Sequence, residues 1–277
     1  MSNQTTTLRV ALAQTAPLRG ALQENRQTIL ARLHEAADGG ARLIVFPECA
    51  LSGYVFHSAE EALPASEPVP GPTTQAVLEV CRQRNIYAVV GLLERSEGQI
   101  YNSAFVAGPE GLITTYRKCH LPVIGVDRFA ARGNTLPVID LPSVRIGLLI
   151  CYDLRFPEAA RTLALRGAEV LVLPTNWPEG AESSPDFLTR ARAWENRIFV
   201  VACNRVGIEE GIRFLGRSQV ITPAGTCIQE ADPHAEGIWY ADIVPAEARQ
   251  KRLIVRPGVF ELDPVGHRRP ELYDALL

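Results

Sequence analysis

Short apolar runs that end in a polar or ionisable residue recur along this chain and constrain its fold more than any other feature. Six of them have the aliphatic and β-branched composition of buried strands, at 8–16, 41–46, 86–94, 143–151, 168–176 and 197–204. Amphipathic patterns lie between several of them and predict helices at 21–37, about 74–84, from near 157, and 184–196. This alternation predicts an α/β fold.

Hairpins interrupt the alternation of strands and helices. Residues 101–118 predict a β-hairpin, because two strand-like runs flank the turn residues at 108–111. Further β segments are expected between about 213 and 244, followed by an extended tail from about 253. Hairpins among strand–helix units argue against a purely parallel sheet and favour two mixed β-sheets, each covered by helices. No shift in composition marks a linker, so we expect one domain over residues 1–277.

Charge and hydropathy argue against several classes of partner. The 277 residues carry a net charge of −3, which gives no reason to expect a nucleic-acid partner. The longest apolar runs are far shorter than the roughly 20 residues that span a bilayer, so we expect no membrane partner. The start, "MSNQTTTLRV", lacks the basic and apolar regions of a signal peptide, and we therefore expect a cytoplasmic protein.

The cysteines follow neither a metal-site nor a disulfide pattern. They form no CxxC pair, and no histidine lies at a zinc-ligand spacing from them, so we expect no metal and no other cofactor. A buried cysteine most often serves as a small apolar side chain, so a reactive one must be distinguished by its neighbours. The chain has six: Cys49, Cys81, Cys119, Cys151, Cys203 and Cys227.

Three ionisable residues directly follow predicted strands. "LIVFP" precedes Glu48, "LITTYR" precedes Lys118 and "IGLLI" precedes Cys151. Because sites in open α/β folds lie at the carboxyl ends of strands, the three side chains are candidates to meet. The carboxylate would take the thiol proton, and the ammonium would stabilise a thiolate and then an oxyanion. This set suits attack on an amide or nitrile carbon without a metal or a histidine. Taken singly, each residue also fits a structural role: a solvated acid, a surface lysine, a core cysteine.

A cysteine–histidine pair is the alternative source of a nucleophile. Cys119 and His120 are adjacent in the sequence, but neighbours on an extended chain point to opposite faces and do not pair easily. A pair of Cys151 with His120 stays open at this point.

Three longer motifs carry a family resemblance. "FPECALSGY", "YRKCHLP" and "CYDLRFPE" resemble the motif regions of the nitrilase superfamily, the carbon–nitrogen hydrolases, and occur in the family's order. The resemblance implies a four-layer α-β-β-α sandwich that assembles into a homodimer or a larger homo-oligomer. It also implies that Glu48 is the general base, Lys118 the transition-state stabiliser and Cys151 the nucleophile. The backbone N–H of Tyr152 would help Lys118 to hold the oxyanion.

The loop after the lysine motif departs from the family pattern. Many relatives carry a second glutamate there, whereas the best counterpart in this chain is Asp127, within "GVDRFAARG". Aspartate is one methylene shorter, so its reach or the loop must differ. The alternative is that Asp127 pairs with Arg128 or Arg132 at the surface.

Further residues are assigned to the substrate pocket by the same resemblance. Tyr54, Asn176 and Trp177 lie in loops that border the pocket in relatives, although Trp177 would equally suit a core or an interface. Arg155 and Glu158 are expected to form an ion pair at the start of the helix after Cys151, where an acid suits the helix dipole.

The residues that follow Cys151 bear on the reaction. Nitrilases of this superfamily typically read Cys-Trp-Glu, whereas this chain reads Cys-Tyr-Asp and resembles the amidase branches. A small amide, hydrolysed with release of ammonia, is therefore the favoured substrate. An N-carbamoyl (ureido) substrate and a nitrile are the alternatives within the family. An inactive dimeric scaffold and an acyltransferase are the alternatives from other classes.

Overall fold

The structure is a computed structural model that describes residues 6–276. Its strands are β1 (Leu8–Gln14), β2 (Leu43–Val45), β3 (Tyr87–Ser96), β4 (Gln99–Gly108), β5 (Gly111–Arg117), β6 (Val138–Leu141), β7 (Val144–Leu148), β8 (Val170–Pro174), β9 (Phe199–Cys203), β10 (Ile208–Glu209), β11 (Ile212–Arg213), β12 (Gln219–Ile221), β13 (Cys227–Glu230), β14 (Gly237–Ile243), β15 (Leu253–Arg256) and β16 (Phe260–Leu262). Its α-helices are α1 (Leu22–Asp38), α2 (Ala59–Ala62), α3 (Pro72–Arg84), α4 (Pro157–Leu165) and α5 (Thr189–Asn196).

Two six-stranded mixed sheets form the centre of the fold. The first has the order β14-β1-β2-β3-β4-β5, and the second has the order β13-β12-β9-β8-β7-β6. In each sheet three neighbouring strands are parallel, β1 to β3 in one and β7 to β9 in the other. The flanking strands pair antiparallel. The predicted pair of mixed sheets is therefore confirmed.

The alternation of side chains along the strands builds four layers. In β1, Val10 and Leu12 join the apolar core that the two sheets share. Ala11 and Ala13 face the other way, into a second core with Ile29 of α1. Since successive strand residues point to opposite faces, one short strand serves both cores. Helices α4 and α5 cover the second sheet, and the layers are those of the α-β-β-α sandwich that the family resemblance implied.

Two elements differ from the sequence-based prediction. Strand β7 ends at Leu148, and Cys151 begins a separate 3-10 turn, Cys151–Arg155. The helix expected over 184–196 begins with a π-helical segment, Ser184–Leu188, before α5. Gln219 donates to the Pro185 carbonyl and accepts from the Thr189 hydroxyl, at 3.0 Å each. These contacts across the fold accompany the π turn, and the local pattern carries no sign of them.

In place of the predicted extended tail, the residues after about 253 form a hairpin and a short turn. Strands β15 and β16 pair antiparallel as a hairpin, and a 3-10 turn follows at Pro270–Leu272.

Within residues 6–276, none of the helices combines the length and the hydropathy that crossing a bilayer requires.

Candidate active site

Lys118 lies between two carboxylates, directly after the edge strand of the first sheet. It follows β5 directly, and its Nζ lies 2.6 Å from Glu48 Oε1 and 2.5 Å from Asp127 Oδ2. All three side chains are buried. Glu48 comes from the loop after β2, and Asp127 from a 3-10 turn, Gly125–Arg128. The structure thus brings Asp127 into the site and does not pair it with Arg128 or Arg132.

Asn102 ties the two carboxylates together from the neighbouring strand β4. Its Nδ2 donates to Glu48 Oε1 at 2.7 Å and to Asp127 Oδ1 at 2.8 Å. With Asn102 and Lys118 both donating to it, Glu48 Oε1 has its partners. The other carboxylate oxygen, Oε2, is buried and has no hydrogen-bond partner within residues 6–276. A buried polar atom left open at a site is available to a reacting proton or a ligand.

A glycine makes the close approach of Glu48 possible. On β3, a Cβ at Gly91 would lie 2.3 Å from the Pro47 carbonyl oxygen and 2.8 Å from Glu48 Cα. Those separations are far below contact distance, so no side chain fits at position 91 while the Glu48 loop stays in place. The loop therefore rests directly on the backbone of β3.

Cys151 is held in a backbone conformation that few cysteines adopt. Its φ is +47°, in the left-handed region where a residue with a Cβ is strained. Asp153, also buried, fixes the turn: its Oδ2 accepts the Ile150 N–H at 3.0 Å and the Tyr116 hydroxyl at 2.7 Å. The surrounding fold thus maintains the strained conformation, which is common at functional sites.

His120 is engaged elsewhere. Its Nδ1 lies 2.7 Å from Asp153 Oδ1, and its ring stacks on Phe156 with centroids 3.8 Å apart. The Cys119 thiol donates to the Thr135 carbonyl at 3.4 Å. His120 therefore supports the Asp153 turn, and within residues 6–276 it forms no hydrogen bond with either thiol.

Burial and charge act in opposite directions in this cluster. Burial alone would lower the pKa of Lys118, but the Asp127 and Glu48 carboxylates outweigh it and raise that pKa well above its ordinary value. Burial raises the pKa of Glu48; the Lys118 cation opposes this shift and the Asp127 carboxylate adds to it. Burial, followed by the negative charge of Glu48, raises the pKa of the Cys151 thiol to about 12. A neutral thiol thus lies near a lysine cation and a carboxylate with increased proton affinity.

Cys151 opens into a cleft of about 260 Å³. Four of the predicted pocket residues, Tyr54, Tyr152, Asn176 and Trp177, line it. The fifth, Asp127, is not among the residues that line the cleft, but its Oδ2 accepts the Tyr54 hydroxyl at 2.9 Å.

Arg155 lines the same cleft, and the prediction that it pairs with Glu158 is wrong. Among residues 6–276, no salt bridge involves its guanidinium. Both residues are exposed, one at the end of the Cys151 turn and the other in the first turn of α4.

A known protein family covers most of this chain. The family model described as carbon-nitrogen hydrolase matches residues 9–253. This chain belongs to the carbon-nitrogen hydrolase family. The predicted resemblance to the nitrilase superfamily and its amidase-like branch is confirmed.

Relatives of this carbon-nitrogen hydrolase cover nearly its whole length. It is 36% identical over 244 residues to a nitrilase of Pyrococcus abyssi, covering 87% of this chain and 89% of the relative. It is 32% identical over 284 residues to an omega-amidase of Homo sapiens, covering 96% and 100%. Among solved structures, it resembles a mutant amidase of Nesterenkonia sp. AN1 with a TM-score of 0.80 and 28% identity, covering 98% of this chain and 100% of the other. In that structure acrylamide has added to the active-site cysteine.

Sequence reasoning missed two buried polar residues that contact the site residues of this carbon-nitrogen hydrolase. Asn102 lies in the apolar stretch "IYNSAFVA" and is buried. An amide within an apolar strand could have been recognised from the sequence as a functional candidate, because a buried amide needs hydrogen-bond partners. Glu209 accepts the backbone N–H of Tyr54 at 2.8 Å, although 155 positions separate the two. No local pattern marked that contact.

Proposed function

We propose that this carbon-nitrogen hydrolase cleaves small amides through a thioester on Cys151. The observation that carries the proposal is the cluster itself: Lys118 is held between Glu48 and Asp127, and one Glu48 oxygen is left open. Because the pKa of Cys151 is raised to about 12, the thiol needs a base at the moment of attack. Glu48 is the proposed base, since its own pKa is raised by burial and its proton affinity is increased.

The proposed reaction proceeds in two halves. Glu48 takes the thiol proton as Cys151 Sγ bonds to the carbonyl carbon, and Lys118 with the Tyr152 N–H stabilises the oxyanion. The intermediate collapses, the C–N bond breaks, and Glu48 passes its proton to the departing nitrogen, which leaves as ammonia. Glu48 then deprotonates water, and the hydroxide attacks the thioester. The C–S bond breaks, the acid leaves and the thiol recovers its proton from Glu48.

Arg155 supports a narrower substrate class. Arg155 is an exposed residue that lines the cleft beside Cys151. Its guanidinium joins no salt bridge among residues 6–276, which leaves it free to bind an anionic group of a substrate. Guanidinium groups bind carboxylates in a bidentate geometry. We therefore propose an amide whose acyl part ends in a carboxylate, in line with the omega-amidase among the relatives. An N-carbamoyl amino acid also carries such a carboxylate and is the second candidate.

A matched substrate panel tests the proposal. Succinamate and butyramide differ only at the distal end, so their kcat/KM ratio measures recognition of the carboxylate. N-carbamoyl amino acids and nitriles complete the panel, with ammonia and CO₂ as readouts. We expect ammonia without CO₂, and we expect Arg155→Gln to lower kcat/KM for succinamate about tenfold to a hundredfold while leaving butyramide unchanged. Arg128→Gln serves as the control.

The panel also separates the alternatives. CO₂ released with ammonia would make this a carbamoylase, and turnover of nitriles alone would make it a nitrilase. A new amide formed with an added amine would identify an acyltransferase. Intact-mass analysis of wild-type protein should trap an acyl adduct on Cys151, and Cys151→Ala should abolish both adduct and turnover. An adduct on Cys119 or Cys203 would refute the proposed nucleophile.

A further inference from the structure

Glu209 is a buried carboxylate that lies outside the catalytic cluster. It belongs to the small hairpin of β10 and β11 and is 7% exposed. Its Oε1 accepts the backbone N–H of Tyr54 at 2.8 Å and also that of Val55. Its Oε2 pairs with the guanidinium of Arg205. An acid placed this way fixes the backbone of a distant loop by two charge-assisted hydrogen bonds.

The Arg205 side chain has few other positions available to it. It is 2% exposed, and its Nη2 donates to the Pro17 carbonyl at 3.1 Å. Its guanidinium lies 4.3 Å from the centroid of the Phe214 ring. The Phe214 ring in turn packs edge-to-face against the ring of Tyr54, with centroids 6.5 Å apart and planes at 81°. Glu209 is thereby held in one orientation, as a buried charge pair requires.

The loop that Glu209 holds leads to the lysine of the site. The Tyr54 hydroxyl donates to Asp127 Oδ2 at 2.9 Å, and the same oxygen lies 2.5 Å from Lys118 Nζ. The Tyr54 carbonyl accepts the Val126 N–H at 3.0 Å, which ties the Asp127 turn to the same loop. Lys118 Nζ lies 6.0 Å from the Tyr54 ring. A displacement of Tyr54 would therefore shift the Asp127 carboxylate, and with it the position of the Lys118 ammonium.

The position before Tyr54 also lies too close to its neighbours to carry a side chain. Gly53 has a φ of +76°, and a Cβ there would lie 2.7 Å from Arg19 Cα and 3.1 Å from Glu209 Oε2. Gly53 thus lets the loop pack directly against the backbone at Arg19, while Glu209 supplies the hydrogen bonds from the hairpin to the same loop.

We propose that Glu209 is a positioning residue for Lys118, acting through Tyr54 and Asp127. This inference rests on the proposed function, in which Lys118 stabilises the thiolate and the oxyanion. Glu209 contacts neither the substrate cleft nor Cys151. Its contribution is to keep the Tyr54 hydroxyl in place, so that Asp127 holds the ammonium at the point where negative charge develops.

A double-mutant cycle tests this role. The variants are Glu209→Gln, Tyr54→Phe and the double variant, with Glu210→Gln as the matched control. Glu210 is next to the same hairpin but exposed, and it pairs with Arg19 at 3.0 Å. Two readouts are measured: kcat and KM on the best amide, and the rate of Cys151 alkylation by iodoacetamide. Alkylation needs the thiolate that Lys118 stabilises and does not depend on which amide is the substrate.

We expect Glu209→Gln to lower kcat and the alkylation rate about tenfold to a hundredfold, with little change in KM. The Gln amide group keeps one acceptor for the loop but turns a donor towards Arg205, so the loop shifts. In the double variant the Glu209→Gln effect should largely disappear, because Tyr54→Phe has already removed the hydroxyl through which it acts. Glu210→Gln should behave as wild type.

Additive losses in the double variant, or a Glu209→Gln rate equal to that of Glu210→Gln, would overturn the proposal. If Glu209→Gln does not fold, Glu209→Asp carries the same comparison, since it keeps the charge opposite Arg205 but falls one methylene short of the Tyr54 N–H. If no amide is hydrolysed but alkylation still depends on Glu209, the proposed function fails and the positioning role stands.

Discussion

At the scale of single residues, the site is a balance between one cation and two carboxylates. Lys118 stays protonated although it is buried, because Glu48 and Asp127 both contact it and raise its pKa. Asn102 satisfies one oxygen of each carboxylate and leaves Glu48 Oε2 open. The shorter reach of an aspartate is sufficient here, since the 3-10 turn Gly125–Arg128 brings Asp127 directly to Lys118.

The acidic side of the pH profile should report this balance. Glu48 must be ionised to accept the thiol proton, so kcat/KM is expected to fall as the pH drops through a pKa raised above the ordinary 4.5. The charged or titratable groups that face it are Lys118, Asp127, Cys151, Cys49 and Tyr54. Asp127→Asn removes a charge that raises the Glu48 pKa, so the acidic limb should move to lower pH.

The measurement is kcat/KM against pH at constant ionic strength for wild type, Asp127→Asn and the control Asp140→Asn. Asp140 is an exposed residue of β6 that pairs with Arg145 at 2.7 Å. An acidic limb that stays in place or moves to higher pH in Asp127→Asn would contradict the assignment. A kcat/KM equal to that of wild type at every pH would remove Asp127 from the site.

At the scale of elements, a strand backbone sets the position of the base. The loop that carries Glu48 rests on β3 at Gly91, where no Cβ fits. The position of Glu48 thus depends on Gly91 of the neighbouring strand, which lies about forty positions further along the chain.

Gly91→Ala should both destabilise the fold and reduce activity. The new Cβ would meet the Pro47 carbonyl at 2.3 Å, and relief of that overlap requires the Glu48 loop to move. We expect a loss of about 1–3 kcal/mol in the free energy of unfolding and at least about a tenfold loss in kcat. Denaturant unfolding and steady-state kinetics measure the two effects.

Gly98→Ala is the control for that substitution. Gly98 lies in the turn between β3 and β4, has a φ of +74° and has space around it, since a Cβ added there would have nothing within 4 Å. It should cost about 1–2 kcal/mol from backbone strain alone and leave kcat unchanged. Equal kinetic effects of the two substitutions would show that Gly91 does not position Glu48.

At the scale of the whole molecule, the C-terminal segment leaves apolar side chains in solvent. Val255 and Val259, in and beside the hairpin of β15 and β16, are 64% and 69% exposed, and Phe260 is 49% exposed. Large exposed apolar residues that cluster on one segment mark an interaction surface. Together with the family resemblance, they support our proposal of a homodimer or larger homo-oligomer.

Sedimentation velocity should therefore show a species larger than a monomer. Val255→Glu combined with Val259→Glu should shift the protein towards monomer at micromolar concentration, because each buries a charge in the proposed interface. Leu18→Glu is the control, since Leu18 is also 59% exposed but lies on the loop after β1. A wild-type monomer, or equal dissociation in the control, would refute the proposal.

The sequence by itself determined the α/β class, the two mixed sheets and the order of the motifs. The elements follow from local periodicity. A half-buried strand has an apolar residue at every second position, and an amphipathic helix has one at every third or fourth position, so both patterns can be recognised within a short stretch of sequence. The sequence also placed Glu48, Lys118 and Cys151 after predicted strands. Only the tertiary structure decided that Asp127 meets Lys118, that Asn102 joins the carboxylates, and that Arg155 faces the cleft. These contacts depend on strand order and loop paths, which bring together residues that no local pattern relates.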